Sequence, residues 1–338
     1  MSPLPAASPI CCDNPSRCMP TRTDTARNHG LDFIKGIAAC LIVFAHVPFP
    51  RPFGVYVAYL STVSVSVFFM VSGYFSSGAS RQKLWRAIKR TFTYLVVADV
   101  LYLIKMLIDR DFDYQSVLNF LLSEVFTLEH LLKTVVISQS KICFVAWFLI
   151  ALLMCYVMRL LLGKRLRLLG IIGFVVGVVV SLPPIDTHMD FPVSNAWLWS
   201  IPFFTLGEWV REHESQITDI LERWLLVGIC LSGLAVIVVS RYCGTQWWFV
   251  GNWLLAPALF LLFIRSEMPA NRFCLLGSTY VFFIYIMHPL VSACYHAVRG
   301  DIGMAESWLR PLIVLAATVL LAAVYYAAKS LIVASVRH

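Results

Sequence analysis

Residues 31–46, LDFIKGIAACLIVFAH, form a run apolar enough for a lipid-facing helix, yet they include Asp32, Lys35 and His46. Ionisable side chains inside such a run are costly and by default mark function. On an α-helix Asp32 and Lys35 sit one turn apart, at i and i+3, where they can pair. His46 lies eleven residues beyond Lys35. Eleven steps of about 100° return to within about 20° of the same face, about 16 Å further along the axis. One helix face thus carries a cation near one end and an imidazole near the other. The bland alternative is that Lys35 snorkels to lipid headgroups with Asp32 as partner, while His46 merely ends the helix before Pro48 and Pro50.

The rest of the chain explains why a bilayer is the expected solvent. Of its 338 residues 59% are hydrophobic and 14% charged, against about half and a quarter in soluble domains. Mean hydropathy is +0.77. Ten apolar runs are of spanning character: 31–49, 54–77, 91–109, 142–162, 168–184, 195–210, 224–242, 246–264, 273–297 and 311–334. The expected fold class is therefore all-α, a polytopic membrane helix bundle of about ten transmembrane helices. The net charge of +8 comes from short clusters between runs, chiefly RQKLWRAIKR (81–90) and GKRLR (163–167), and is not a nucleic-acid signal. Both clusters follow even-numbered runs, so the positive-inside rule places them, and both termini, in the cytoplasm.

Residues 1–28 are polar and lack an apolar core, so the reading is a disordered cytoplasmic tail rather than a cleaved signal peptide. One transmembrane domain, 29–338, follows, with no fused soluble domain expected after the tenth run. Within it 110–140 is too polar to span. Its apolar residues recur at helical spacing (Val117, Phe120, Leu121, Val125, Leu128), which predicts an amphipathic segment on the outer interface. Of the ten cysteines, those in apolar runs read as small hydrophobes, and CCDNPSRC (11–18) lacks paired metal-ligand spacing.

A second histidine bears on the first. His288, in LGSTYVFFIYIMHPLV (276–291), lies fifteen residues after the start of its run near 273, and His46 lies fifteen after Leu31. Each therefore rises about 22 Å from the same edge, which predicts a shared depth and a shared cavity.

Taken in order, these elements resemble integral-membrane acyltransferase family 3, the O-acyltransferases that modify surface polysaccharides and related acceptors. LDFIKGIAACLIVFAH is similar to the family's first-helix signature of a basic residue, ten others and a histidine, with lysine where arginine is commoner. VFFMVSGYF (67–75) resembles its second-helix element and WRAIKRTFTY (85–94) its basic loop. WFL (147–149), IPFFTLGEWV (201–210) and IYIMHPLV (284–291) resemble later elements.

The resemblance implies transfer of an acyl group, often acetyl, from cytoplasmic acyl-CoA to a hydroxyl of a glycan or lipid-linked sugar. Acyl-CoA would be a donor substrate, with no permanently bound cofactor and no metal. Lys35, Arg86, Lys89 and Arg90 would seat its phosphates, and His46 would act as general base, with an acyl-histidine intermediate as the rival chemistry. His288, Ser72 and Tyr74 are candidates for orienting groups or for polarising the carbonyl. Asp32, Tyr74, Trp147 and Tyr285 are candidate substrate contacts. The implied location is a bacterial cytoplasmic (inner) membrane, with lipids and the two substrates as partners; the sequence leaves oligomeric state open. A transporter or flippase for a lipid-linked sugar or polysaccharide precursor is the alternative from another class. Transporters often carry repeats, and the chain shows none.

Overall fold

A computed structural model describes residues 27–181, 196–244, 248–300 and 303–336. The tail expected over 1–28 lies outside the described residues except for Arg27 and Asn28, as do Cys11, Cys12 and Cys18. Among the described residues the regular structure is entirely helical.

In chain order the helices are α1 (His29–His46), α2 (Phe53–Ser76), α3 (Arg81–Asp109), α4 (Tyr114–Phe120), α5 (Leu128–Ile137), α6 (Trp147–Leu162), α7 (Leu166–Val180), α8 (Ile201–Glu212), α9 (Glu214–Ile220), α10 (Arg223–Cys243), α11 (Trp248–Ile264), α12 (Arg272–Leu275), α13 (Val281–Arg299) and α14 (Met304–Val336). Each of the ten apolar runs is helical over most of its length. Among the described residues seven helical stretches are long and apolar enough to cross a membrane, one of them being Phe144–Val180, which joins α6 and α7. Gly163, at φ +57°, separates those two helices, a backbone conformation that glycine adopts without steric cost.

The centre of the bundle is α1, α2, α8, α11 and α13. Phe69, Phe203, Phe204, Phe249 and Phe260 are wholly buried there. α3, α10 and α14 are peripheral and turn Val96, Val100, Leu231, Val239, Leu320 and Val324 outward. An exposed apolar wall on this scale suits a hydrocarbon solvent.

Helices close this tightly need small residues at the seams. Gly73 of α2 lies against α8, where an added Cβ would come within 1.8 Å of the Phe204 carbonyl oxygen. On α1, an added Cβ at Gly36 would come within 2.2 Å of the Phe273 carbonyl. Gly277 faces the Asp32 carbonyl from the other side, at 1.9 Å from its would-be Cβ.

Polar ties fasten one end of the bundle. Arg159 of α6 pairs with Glu208 of α8, both largely buried. Arg167 pairs with Glu212 at 2.6 Å. Tyr74 donates to Glu214 at 2.6 Å and accepts from Arg211 at 2.8 Å.

The segment expected to form one amphipathic stretch over 110–140 is helical but broken. α4 runs into a wider π-type turn, Leu121–Val125, and α5 starts afresh after Thr127, whose side chain accepts from the His130 N–H at 3.2 Å. Val117 and Val125 of the expected face are buried, whereas Leu128, beyond the break, is exposed. Periodicity carried across a cap loses its phase, because the helix restarts in a new direction.

Gly73→Ala should push α2 off α8 and cost about 1–3 kcal/mol as an overpacking change. The expected observation is a lowered unfolding temperature of the detergent-solubilised protein.

Candidate active site

The foot of the site is built at the start of α1. Asn28 caps the helix, accepting from the Leu31 N–H at 3.1 Å, and its side-chain amide donates to the Ile264 carbonyl at the end of α11. Asp32, almost fully buried, then accepts from Arg27 at 2.6 Å and pairs with Lys35 at 2.7 Å. The carboxylate is thus occupied by two cations and holds the Lys35 stem in place. The expected i, i+3 pair is present, and Asp32, named as a candidate substrate contact, meets the two cations and does not line the cavity.

Lys35 lines a cavity of about 200 Å³ with Ser72, Arg90, Tyr156, Phe148 and Tyr285. The floor continues into a second pocket of about 300 Å³, which shares Ser72, Phe75, Arg90 and Tyr156 and adds Lys83 and Arg86. Three cations face this pocket and none of its lining residues is acidic. Such a lining suits an anion with several charges. Lys89 is elsewhere: it lies with Gln82 and Trp85 on an open face of α3 that only Arg86 also borders.

The other end of the cavity is aromatic. Phe148 and Tyr285 stand with ring centroids 5.3 Å apart, and the Tyr285 hydroxyl donates to the Val145 carbonyl. Tyr285 in turn lies 6.4 Å from His288, and His288 lies 5.2 Å from His46. The expected meeting of the two histidines is therefore present in the structure. His46 is the last residue of α1, which stops before Pro48 because the residue preceding a proline disfavours the helical region. Its ring is exposed, with Phe144 against it at 5.3 Å.

His288 is wholly buried behind it. Its Nδ1 is 3.0 Å from the Ile284 carbonyl. A carbonyl only accepts, so Nδ1 carries the hydrogen, and in the neutral ring Nε2 is a bare lone pair. That Nε2 is buried and meets no protein partner. Pro289, the next residue, lacks the N–H that would bond within α13, so the helix is locally loosened where the imidazole sits.

The structure does not gather every candidate at one point. Ser72 is half-buried and lines the cavity with Lys35, Tyr156 and Arg90, whereas neither histidine lines it. Tyr74 is buried in the knot with Arg211 and Glu214 and does not line the cavity. Trp147 packs half-buried against the core, and its neighbour Phe148 takes the cavity position.

Sequence reasoning missed Tyr156 and Lys83, which line the pockets. Lys83 lies in the basic cluster already noted, and its spacing of three and seven from Arg86 and Arg90 gives the shared face. Tyr156 had no such signal, since nothing in its apolar run distinguishes the inward face.

The arrangement is thus a cationic floor, a mostly apolar cavity that reaches Phe148 and Tyr285, and a histidine pair beyond Tyr285 that does not line that cavity. Comparison with known proteins gives an independent finding. The profile of the acyltransferase family 3 domain matches residues 28–327, nearly the whole chain. No curated protein and no solved structure matches. With that match over a bundle of apolar helices, the chain belongs to acyltransferase family 3 and is a multi-pass membrane acyltransferase.

Proposed function

We propose that the enzyme moves an acyl group, acetyl in the simplest case, from acyl-CoA to a hydroxyl of a glycan or lipid-linked sugar, with His46 as general base. The observation that carries this reading is an ordered series of groups. The pocket of Lys83, Arg86 and Arg90 adjoins the cavity of Lys35 and Tyr285, and the Tyr285 ring is followed by those of His288 at 6.4 Å and His46 a further 5.2 Å on. Acyl-CoA has matching chemistry in matching order: a phosphate-rich head, a long uncharged arm and a reactive thioester. The about 16 Å of helix rise between Lys35 and His46 is of the order of that arm. The basic end then faces the cytoplasm, where the donor is made, both termini share that side, and the ten helical runs each cross the bilayer of a bacterial inner membrane.

In the reaction, the acceptor oxygen attacks the thioester carbonyl carbon as its proton passes to a neutral ring nitrogen of His46. The tetrahedral oxyanion collapses, the carbon–sulfur bond breaks, and the CoA sulfur takes up the proton. The new ester leaves on the acceptor and the histidine is neutral again. The lone pair on His288 Nε2 orients or shares the proton with His46. Ser72 lines the cavity with Lys35 and Arg90, which neither histidine lines, and serves the donor head instead. Membership of an acyltransferase family argues against the flippase alternative.

Two outcomes test the reading on purified protein with labelled acetyl-CoA and a panel of glycan acceptors. His46→Ala lowers acceptor-dependent CoA release by about 10²–10⁴-fold, the usual worth of a general base, with the unfolding temperature unchanged; wild-type activity in that variant overturns the mechanism. Arg90→Ala raises the KM for acetyl-CoA by about tenfold or more, the range for losing a hydrogen bond to a charged group. Lys89→Ala, on the open face, changes it by less than about twofold, as surface charges do. Equal effects would contradict the assigned phosphate seat.

A further inference from the structure

The histidine end carries a cation that the reaction above does not use. Arg310, near the start of α14, donates through Nη2 to the Ser292 hydroxyl of α13 at 3.2 Å. Ser292 is one turn beyond His288 on the same face of α13. The Arg310 Nε is buried and meets no acceptor. No carboxylate among the side chains that the structure describes pairs with this guanidinium. A part-buried arginine with an unspent donor is costly, and an anion that fits its planar fork would satisfy it.

The surroundings indicate what kind of molecule brings the anion. Trp308, two residues earlier, is exposed, with ring centroids 5.7 Å from Phe53 and 6.2 Å from Phe49. Phe49 belongs to the short link between His46 and α2. An aromatic ledge therefore borders the link that follows His46, and Trp308, which forms part of it, sits on the same helix as Arg310 but two residues away, on another face. Flat aromatic faces suit the C–H faces of a sugar ring, and an arginine elsewhere on the same helix end suits a carboxylate or phosphate carried by the same glycan.

We infer that Arg310 is an acceptor-binding residue, selecting a glycan that bears a compact anion, carboxylate or phosphate, near the hydroxyl to be acylated. This rests on the acceptor arriving at the His46 end, as in the proposed function. Arg310 acts on acceptor affinity; it takes no part in proton transfer.

The test measures binding of three probes to the full chain in neutral, phosphate-free detergent by titration calorimetry: methyl β-D-glucoside, methyl β-D-glucuronide and glucose 1-phosphate. Wild type is expected to bind at least one anionic probe about tenfold or more tightly than the neutral one, as a charge-assisted pair requires. Arg310→Gln erases the preference and Arg310→Lys restores part of it, because the charge survives without the fork. Equal binding of all three probes by wild type, or a preference that persists in Arg310→Gln, overturns the inference.

Repetition with added phosphatidylglycerol separates the two sources of phosphate. If lipid at equimolar amounts abolishes the preference, the natural anion is a headgroup and the acceptor assignment falls; if the preference survives, it stands. Acetyl-CoA-dependent acylation of the same probes is scored separately, so absent transfer with intact selective binding counts against the proposed reaction and not against the anion site.

Discussion

The site depends on one close approach, where α1 meets the chain entering α13. Gly277 lies on the Asp32 carbonyl and beside the Gly36 backbone nitrogen, too close for a side chain in either place. From there the two helices run in the same direction. His46 comes ten residues after Gly36, and His288 eleven after Gly277. At about 1.5 Å per residue both rings arrive about 15–17 Å up the bundle. Their 5.2 Å separation therefore follows from a contact made at the opposite end. A slip of one residue at Gly277 would rotate His288 by about 100° and aim it away from His46.

That geometry divides the labour between two ends. The basic end is stiff and polar, tied by Asp32 to Arg27 and Lys35, by Glu208 to Arg159 and by Tyr74 to Arg211 and Glu214. Buried ion pairs of this kind add little net stability but are expensive to break, so they fix where the helices start. The histidine end has few such ties. Its imidazoles are positioned by packing, by the Ile284 carbonyl and by the helix stop before Pro48. In the proposed reading the stiff end grips a charged donor head whatever acyl group it carries. The other end, with its aromatic ledge and Arg310, meets the acceptor.

Much of this was legible in the sequence because it depends on local repeats. Apolar run length gave the helices, and helix arithmetic gave both the Asp32–Lys35 pair and the common depth of His46 and His288. The reading was less informative wherever the answer lay in packing between elements. Ser72 carries a recognisable motif, but the tilt of α2 determines whether it stands with Lys35 or with His46. Trp147 and Phe148 are adjacent and equally aromatic, and only the packed bundle shows that the second faces the channel. Arg310 sits at a run's edge, like any snorkelling arginine, until it is seen bonded to Ser292, one turn beyond His288, with its Nε buried and unpartnered. Thr127 caps a new helix in a segment whose periodicity, read alone, predicted a single face.

The central claim is that a single donor lies with its head on the cationic floor, its arm in the cavity of Lys35 and Tyr285 and its acyl end at the histidine pair beyond. The most direct measurement is a cryo-electron microscopy map of the enzyme with a non-transferable acetyl-CoA analogue in which the sulfur is replaced by a methylene. The account predicts phosphate density among Lys83, Arg86 and Arg90, the arm passing Lys35 and Tyr285, and the acyl carbonyl within reach of His46. Phosphates bound away from those three cations, or an acyl end that stops short of the histidines, would contradict it.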